Sequence, residues 1–174
     1  MFRIADIKNE FEKLDAKTGM NIANTIPIFV SRRFTSTRGQ YKFKFHRITE
    51  EIKDESITIA AFVMNESEPD FLDTVRHEYA HAMATRLTKR NDIGHGEFWK
   101  QCCFEVGCAP KATKIATESQ KVVLNNRKTY VVKCAECGKE FIYHRKGKII
   151  SMVESGNTEA LTCPKCGNHK FILK

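Results

Sequence analysis

The sequence predicts an α+β fold in two parts: a domain of small sheet and helices over residues 1–120 and a cysteine-bearing module over residues 121–174. Three observations carry this. "GQYKFKFHRI" alternates apolar and basic residues with a period of two, as a half-buried strand does. "TVRHEYAHAMATRL" lies in a segment with apolar residues three and four apart, the spacing of one helix face. Two C-x-x-C pairs stand near the C-terminus.

Taken in order, the elements read as follows. "IADIKNEFEKLDA" predicts a helix over residues 4–16 with Ile4, Ile7, Phe11 and Leu14 on one face. "TIPIFVSRRF" predicts a strand opened by Pro27, and Gly39 a turn before the alternating strand that carries Tyr41, Phe43 and Phe45 on one side. "SITIAAFV" predicts a third strand. Ser67, with Asp70 three residues on and Pro69 in the first turn, marks the start of a helix. Its stripe is Leu72, Val75, Tyr79 and Met83. "TKRNDIGHG" is a loop, and "GEFWKQCCFEVG" a second helix stopped at Gly107 ahead of Pro110. Residues 111–128, basic and polar, read as a connector, and the remainder as short strands carrying the cysteine turns.

Composition bounds the function classes. No apolar run approaches the roughly 18 residues of a membrane span, and the charged N-terminus does not read as a secretion signal. The expectation is a cytoplasmic protein that does not enter membranes. In that compartment seven cysteines point to metal or buried thiols rather than disulfides. Cys102, Cys103 and Cys108 lie in an apolar stretch and read as small buried side chains. The net charge of +8 falls almost wholly on residues 121–174. Such a basic module suits a polyanion, most simply nucleic acid, or serves solubility alone.

His77-Glu78-Tyr79-Ala80-His81 is an H-E-x-x-H sequence. On a helix, a spacing of four puts both imidazoles on one face, able to hold one metal ion, with Glu78 within reach of a water on it. Neutral imidazoles leave the charge of Zn²⁺ intact, the ion acidifies water, and a carboxylate takes the proton as the water attacks a carbonyl. A third ligand is available in His95, between Gly94 and Gly96; Glu97 or Glu105 on the next helix are alternatives. Three histidines leave a coordination position open, as catalytic zinc requires. The glycine and histidine that continue the motif in metzincins are absent.

Cys134-x-x-Cys137 and Cys163-x-x-Cys166, with Gly138 and Gly167 after each pair, form the closed four-thiolate set of a structural zinc ribbon. Lys139, Arg145, Lys146 and Lys148, with Phe141 and Tyr143 interleaved, are candidates to contact phosphates and stack bases. An exposed basic hairpin around a small aromatic core is the alternative.

In their order and spacing, the leading helix, "SRRFTSTRGQY", "TVRHEYAHA", "GHGEFW" and the ribbon after "KTYVVKC" resemble the SprT family of zinc metallopeptidases, whose relatives include the Spartan DNA–protein crosslink proteases. The resemblance covers nearly the whole chain. It implies a zincin-like metalloprotease domain with a C-terminal zinc ribbon. It also implies His77, His81 and His95 as ligands of catalytic zinc, favouring His95 over Glu97, and Glu78 as general base. In a chain of 174 residues the long regulatory tail of Spartan is not expected. The resulting expectation is a DNA-associated zinc endopeptidase with two Zn²⁺ per chain, acting on DNA-bound or crosslinked proteins, nucleoid-associated if bacterial. Two rivals stand beside it: a DNA-binding or regulatory zinc protein with a vestigial protease site, and a DNA-independent peptidase of one dedicated protein substrate. Tyr41, Arg38 and His46 are guesses for the group that stabilises the oxyanion.

Overall fold

The computed structural model describes residues 1–90, 94–126 and 128–174, arranged as two compact units, Met1–Leu124 and Asn125–Lys174. Part of the loop expected over residues 88–96 and one position of the expected connector, Arg127, lie outside the described residues.

The first unit is α+β. Helix α1 (Ile4–Thr18) buries Ile7, Phe11 and Leu14. Ile4, expected on that face, is 48% exposed at the first position of the helix. Gly19, at φ 72°, ends α1 in the left-handed conformation. The Asp15 carboxylate then accepts from the Ile22 and Ala23 amides at 2.9 Å and so starts the short α2 (Ile22–Thr25).

Strands β1 (Ile28–Ser31), β2 (Gly39–His46) and β3 (Glu51–Ala60) form one sheet in the order β1-β3-β2. β1 runs parallel to β3 and β2 antiparallel to it. The expected turn at Gly39 between neighbouring strands is therefore corrected. Ile57, Ile59 and Ala60 are fully buried, so β3 takes the centre. β2, with Lys42, Lys44 and His46 exposed, tolerates the edge, where lysine also discourages pairing with another chain. Gly39 is the first residue of β2, and its role is steric.

Helix α3 (Glu68–Thr88) is the hub. Ser67 caps it, accepting from the Asp70 amide. Val75, Tyr79 and Met83 are buried while Leu72 is only half-buried. The helix also buries Thr74, Glu78 and Thr85, polar groups that must each find a partner inside. Tyr79 meets Phe11 edge-on at 5.3 Å and donates to Asp15 at 2.7 Å. Helix α4 (Glu97–Val106) ends at Gly107, φ 75°. Cys102, Cys103 and Cys108 are buried free thiols.

The expected connector carries a helix and several ion pairs and hydrogen bonds to the first unit. Lys114 pairs with Asp70 and Asp73 of α3 at 2.8 and 3.1 Å, and Asp73 also accepts from the Ala109 amide. Thr117 donates to Glu66. Helix α5 (Glu118–Asn125) follows, with Gln120 buried and donating to the Ser36 carbonyl at 2.9 Å. Its polarity suggested a linker. The polar groups are instead spent on pairs that a linear reading cannot foresee.

In the second unit β4 (Tyr130–Cys134) lies between β5 (Glu140–Tyr143) and β6 (Phe171–Leu173), all antiparallel. An unexpected helix α6 (Lys148–Glu154) packs Ile150 and Val153 with Val132. No helix among the described residues is long and apolar enough to cross a membrane.

Candidate metal centre

His77 and His81 project from one face of α3, and His95 reaches them from the segment before α4. Their Nε2 atoms form a triangle with sides of 3.3, 3.2 and 3.3 Å. Mutual hydrogen bonding does not explain it. A neutral imidazole has at most one N–H at Nε2, and one N–H cannot point well at two neighbours. A tetrahedral zinc ion with bonds of about 2.0–2.1 Å sets its nitrogen ligands about 3.3–3.4 Å apart. The donor set therefore fits a metal of that size, and the group could hold one. Glu97 is exposed and paired with Lys100 at 3.3 Å, Glu105 is also exposed, and neither belongs to the convergent group.

Electrostatics suit the same use. Burial pushes His77 down to about 4, with the His95 ring adding to the effect, and His81 down to about 3. Both are neutral at pH 7, the form that binds a metal.

Glu78 is 5% exposed. Burial raises its carboxyl to about 8, opposed by a hydrogen bond from the Tyr41 amide. A cation beside it would favour the charged form and return it toward neutrality, the range in which a general base works best. Gly39 makes room for it. A Cβ at residue 39 would lie 2.5 Å from Glu78 Oε1 and 2.6 Å from its Cγ, so any side chain there displaces the carboxylate. Nothing in the local sequence distinguishes this glycine from a turn glycine, because the reason for it lies 39 residues away in α3.

Trp99, the chain's single tryptophan and fully buried, packs against all three imidazoles. Its position four residues after His95 was the available signal.

The histidines and Glu78 open on a cleft of about 1030 Å³, lined also by Gly39–Tyr41 of β2 and by residues of the 109–117 segment. Arg38 and Tyr41 line it as well, but both are engaged. Arg38 donates to Glu66 and, at 3.1 and 3.0 Å, to Thr74. Tyr41 donates to Glu55 at 2.7 Å, which Arg86 holds in turn. His46 pairs with Thr49 and does not line the cleft.

In the second unit Cys134, Cys137, Cys163 and Cys166 bring their sulfurs together, at 3.6 Å between Cys134 and Cys166 and 3.7 Å between Cys137 and Cys163. Thiolates on a tetrahedral zinc stand about 3.8 Å apart, so this group too could hold an ion. The two turns match: Gly138 and Gly167, at φ 72° and 75°, donate to the carbonyls of Cys134 and Cys163. The Cys134 thiol is pulled down to about 6, chiefly by the Cys137 amide, which favours the ligating thiolate. Lys139, Arg145, Lys146 and Lys148 are exposed, and Lys146 pairs with Glu154 at 2.7 Å. Phe141 and Tyr143 are half-buried: Phe141 meets Phe171, and Tyr143 packs on the small core.

Three imidazoles converging beside a buried carboxylate in an open cleft define the class, a metallopeptidase-like protein. The model of the SprT-like family matches residues 7–119, and the chain belongs to that family. A comparison with curated proteins gives no match.

Proposed function

We propose that this protein is a zinc-dependent endopeptidase of zincin-like architecture that acts on proteins associated with DNA. The observation that carries the peptidase reading is the Nε2 triangle of His77, His81 and His95 with buried Glu78 next in sequence to the first of them. When bound there, zinc supplies the positive charge that acidifies a water and polarises a carbonyl.

The chain's own residues do the rest. Glu78 accepts the proton of the attacking water at its carboxylate and delivers it to the leaving amine. The Tyr41 amide and the space left by Gly39 hold that carboxylate in place. β2 is an edge strand. Since the Ala60 amide donates to the Arg38 carbonyl, the backbone groups of Gly39 and Tyr41 face away from β3; the Tyr41 amide is taken by Glu78, which leaves the Gly39 amide and the two carbonyls along the cleft. An extended polypeptide pairs with such an edge, which favours a protein substrate cut within the chain.

The DNA-associated part rests on the excess positive charge of residues 121–174 and on the exposed Lys139, Arg145, Lys146 and Lys148. A four-cysteine site with all positions filled by protein has a structural role, leaving the surface of that unit free to bind phosphates. The deciding assay is cleavage of a DNA-binding protein with no DNA, single-stranded DNA and duplex DNA. The proposal expects cleavage to require one of the DNAs and to weaken as salt rises. Equal cleavage without DNA assigns the protein instead to a dedicated substrate.

A further inference from the structure

Three imidazoles from two different elements must be oriented together before their lone pairs meet at one point. One side chain touches all three. The Trp99 ring stacks on His81 at a centroid distance of 5.1 Å and an interplanar angle of 24°. It meets His77 at 4.8 Å and 66°, and His95 at 4.6 Å and 90°. It sits in the first turn of α4, three residues after the Gly96 cap, so a residue of that first turn also packs on His95 and on the two histidines of α3. The indole has only two side-chain torsions and is fully buried among packed neighbours, so it loses little freedom in holding this position. What Trp99 offers the three imidazoles is contact through its rings.

We propose that Trp99 is the positioning residue of the three-histidine site: by packing on all three rings it sets their convergence, and with it the affinity and coordination geometry of the bound metal. The proposal rests on the reading of that group as a metal centre. As the chain's single tryptophan, Trp99 is also a built-in reporter of occupancy there, one that the four-cysteine site does not carry.

The test uses the full-length protein with zinc in the cysteine site and Co²⁺ titrated into the histidine site. In the wild type, Co²⁺ quenches tryptophan fluorescence as one equivalent binds, and a visible absorption band of a four-coordinate nitrogen site appears. Trp99→Phe keeps a smaller ring, and Trp99→Leu removes the flat face. Co²⁺ affinity, measured by chelator competition, is expected to fall about 10-fold in the first and about 100-fold in the second, the range for residues that orient ligands. The visible band should shift in both. Circular dichroism checks folding, and if Trp99→Leu does not fold, Trp99→Phe decides. An affinity within twofold of wild type with an unchanged band overturns the positioning role. No quenching and no Co²⁺ uptake by folded wild type, with His77→Ala making no difference, overturns the metal centre itself.

Discussion

The two donor clusters of this chain solve opposite problems. The cysteine cluster has four soft anionic donors, two of them on each of two matching turns, and nothing is left for an outside group to occupy. The histidine cluster has three neutral donors, a buried carboxylate beside them, and a cleft in front. The first can be built from local turns because the two thiols of each pair are three residues apart. The second needs a long helix, a separate segment and an edge strand to agree in space. The comparison teaches that closure of a coordination set goes with stabilising a small unit, and openness with chemistry.

The largest expected effect lies in the closed site. Cys163→Ser should unfold the 125–174 unit, since structural zinc contributes roughly 10–16 kcal/mol to small domains of this kind. Amide hydrogen exchange should show protection lost there and kept in α3. Glu78→Gln comes next. Proteolysis should fall roughly 10²- to 10⁴-fold while the metal content stays that of the wild type. Loss of the metal along with activity would move Glu78 from base to structural support.

Acid should separate the two states of the open site. In chelated protein, His77 and His81 titrate at about 4 and 3, against about 6.5 when unfolded. The unfolded chain therefore binds protons first, and stability falls as pH drops from about 6.5 toward 4. Glu78 has the opposite sign. Its folded value of about 8 exceeds the unfolded value of about 4.3, so its contribution is whole below pH 4.3 and is lost as pH rises through 8. Chelated Glu78→Gln should melt higher than chelated wild type at pH 8 and show no such gain at pH 4. Melting curves across that range check both signs.

Gly39→Ala is a smaller perturbation. It should displace the Glu78 carboxylate and lower turnover roughly 10- to 100-fold, with metal content unchanged. Lys146→Ala should be the mildest. Its ion pair with Glu154 is solvent-exposed on both sides, so the melting temperature should hold. The slope of log affinity against log salt for DNA should drop by about 1 if Lys146 contacts a phosphate.

Much of both clusters was legible because their logic is local. A spacing of four on a helix and a spacing of three in a turn bring donors together whatever the rest of the chain does. The same holds for the alternation of β2, the Ser67 cap and the Gly107 stop, each set by backbone geometry within a few residues. Partnership across the chain was not legible in that way. β3 rather than β1 became the neighbour of β2 because its isoleucines are the ones that can be buried completely. Within residues 111–128, polar enough to read as a connector, Lys114, Thr117 and Gln120 meet Asp70, Asp73, Glu66 and the Ser36 carbonyl of the first unit. α6 escaped notice because it is short, and its packing against Val132 supplies what its length lacks.

The sequence by itself determined which atoms can bind metal and how many each motif offers: His77 and His81 by helical period, and four thiols by their turns. Tertiary structure decided that His95 rather than Glu97 completes the triangle and that Trp99 lies against all three rings. It also decided that Gly39 must lack a side chain so that Glu78 can stand where it does. The division follows from range. Periodicity aligns residues within one element, but the distance between elements is set only when their packed faces meet.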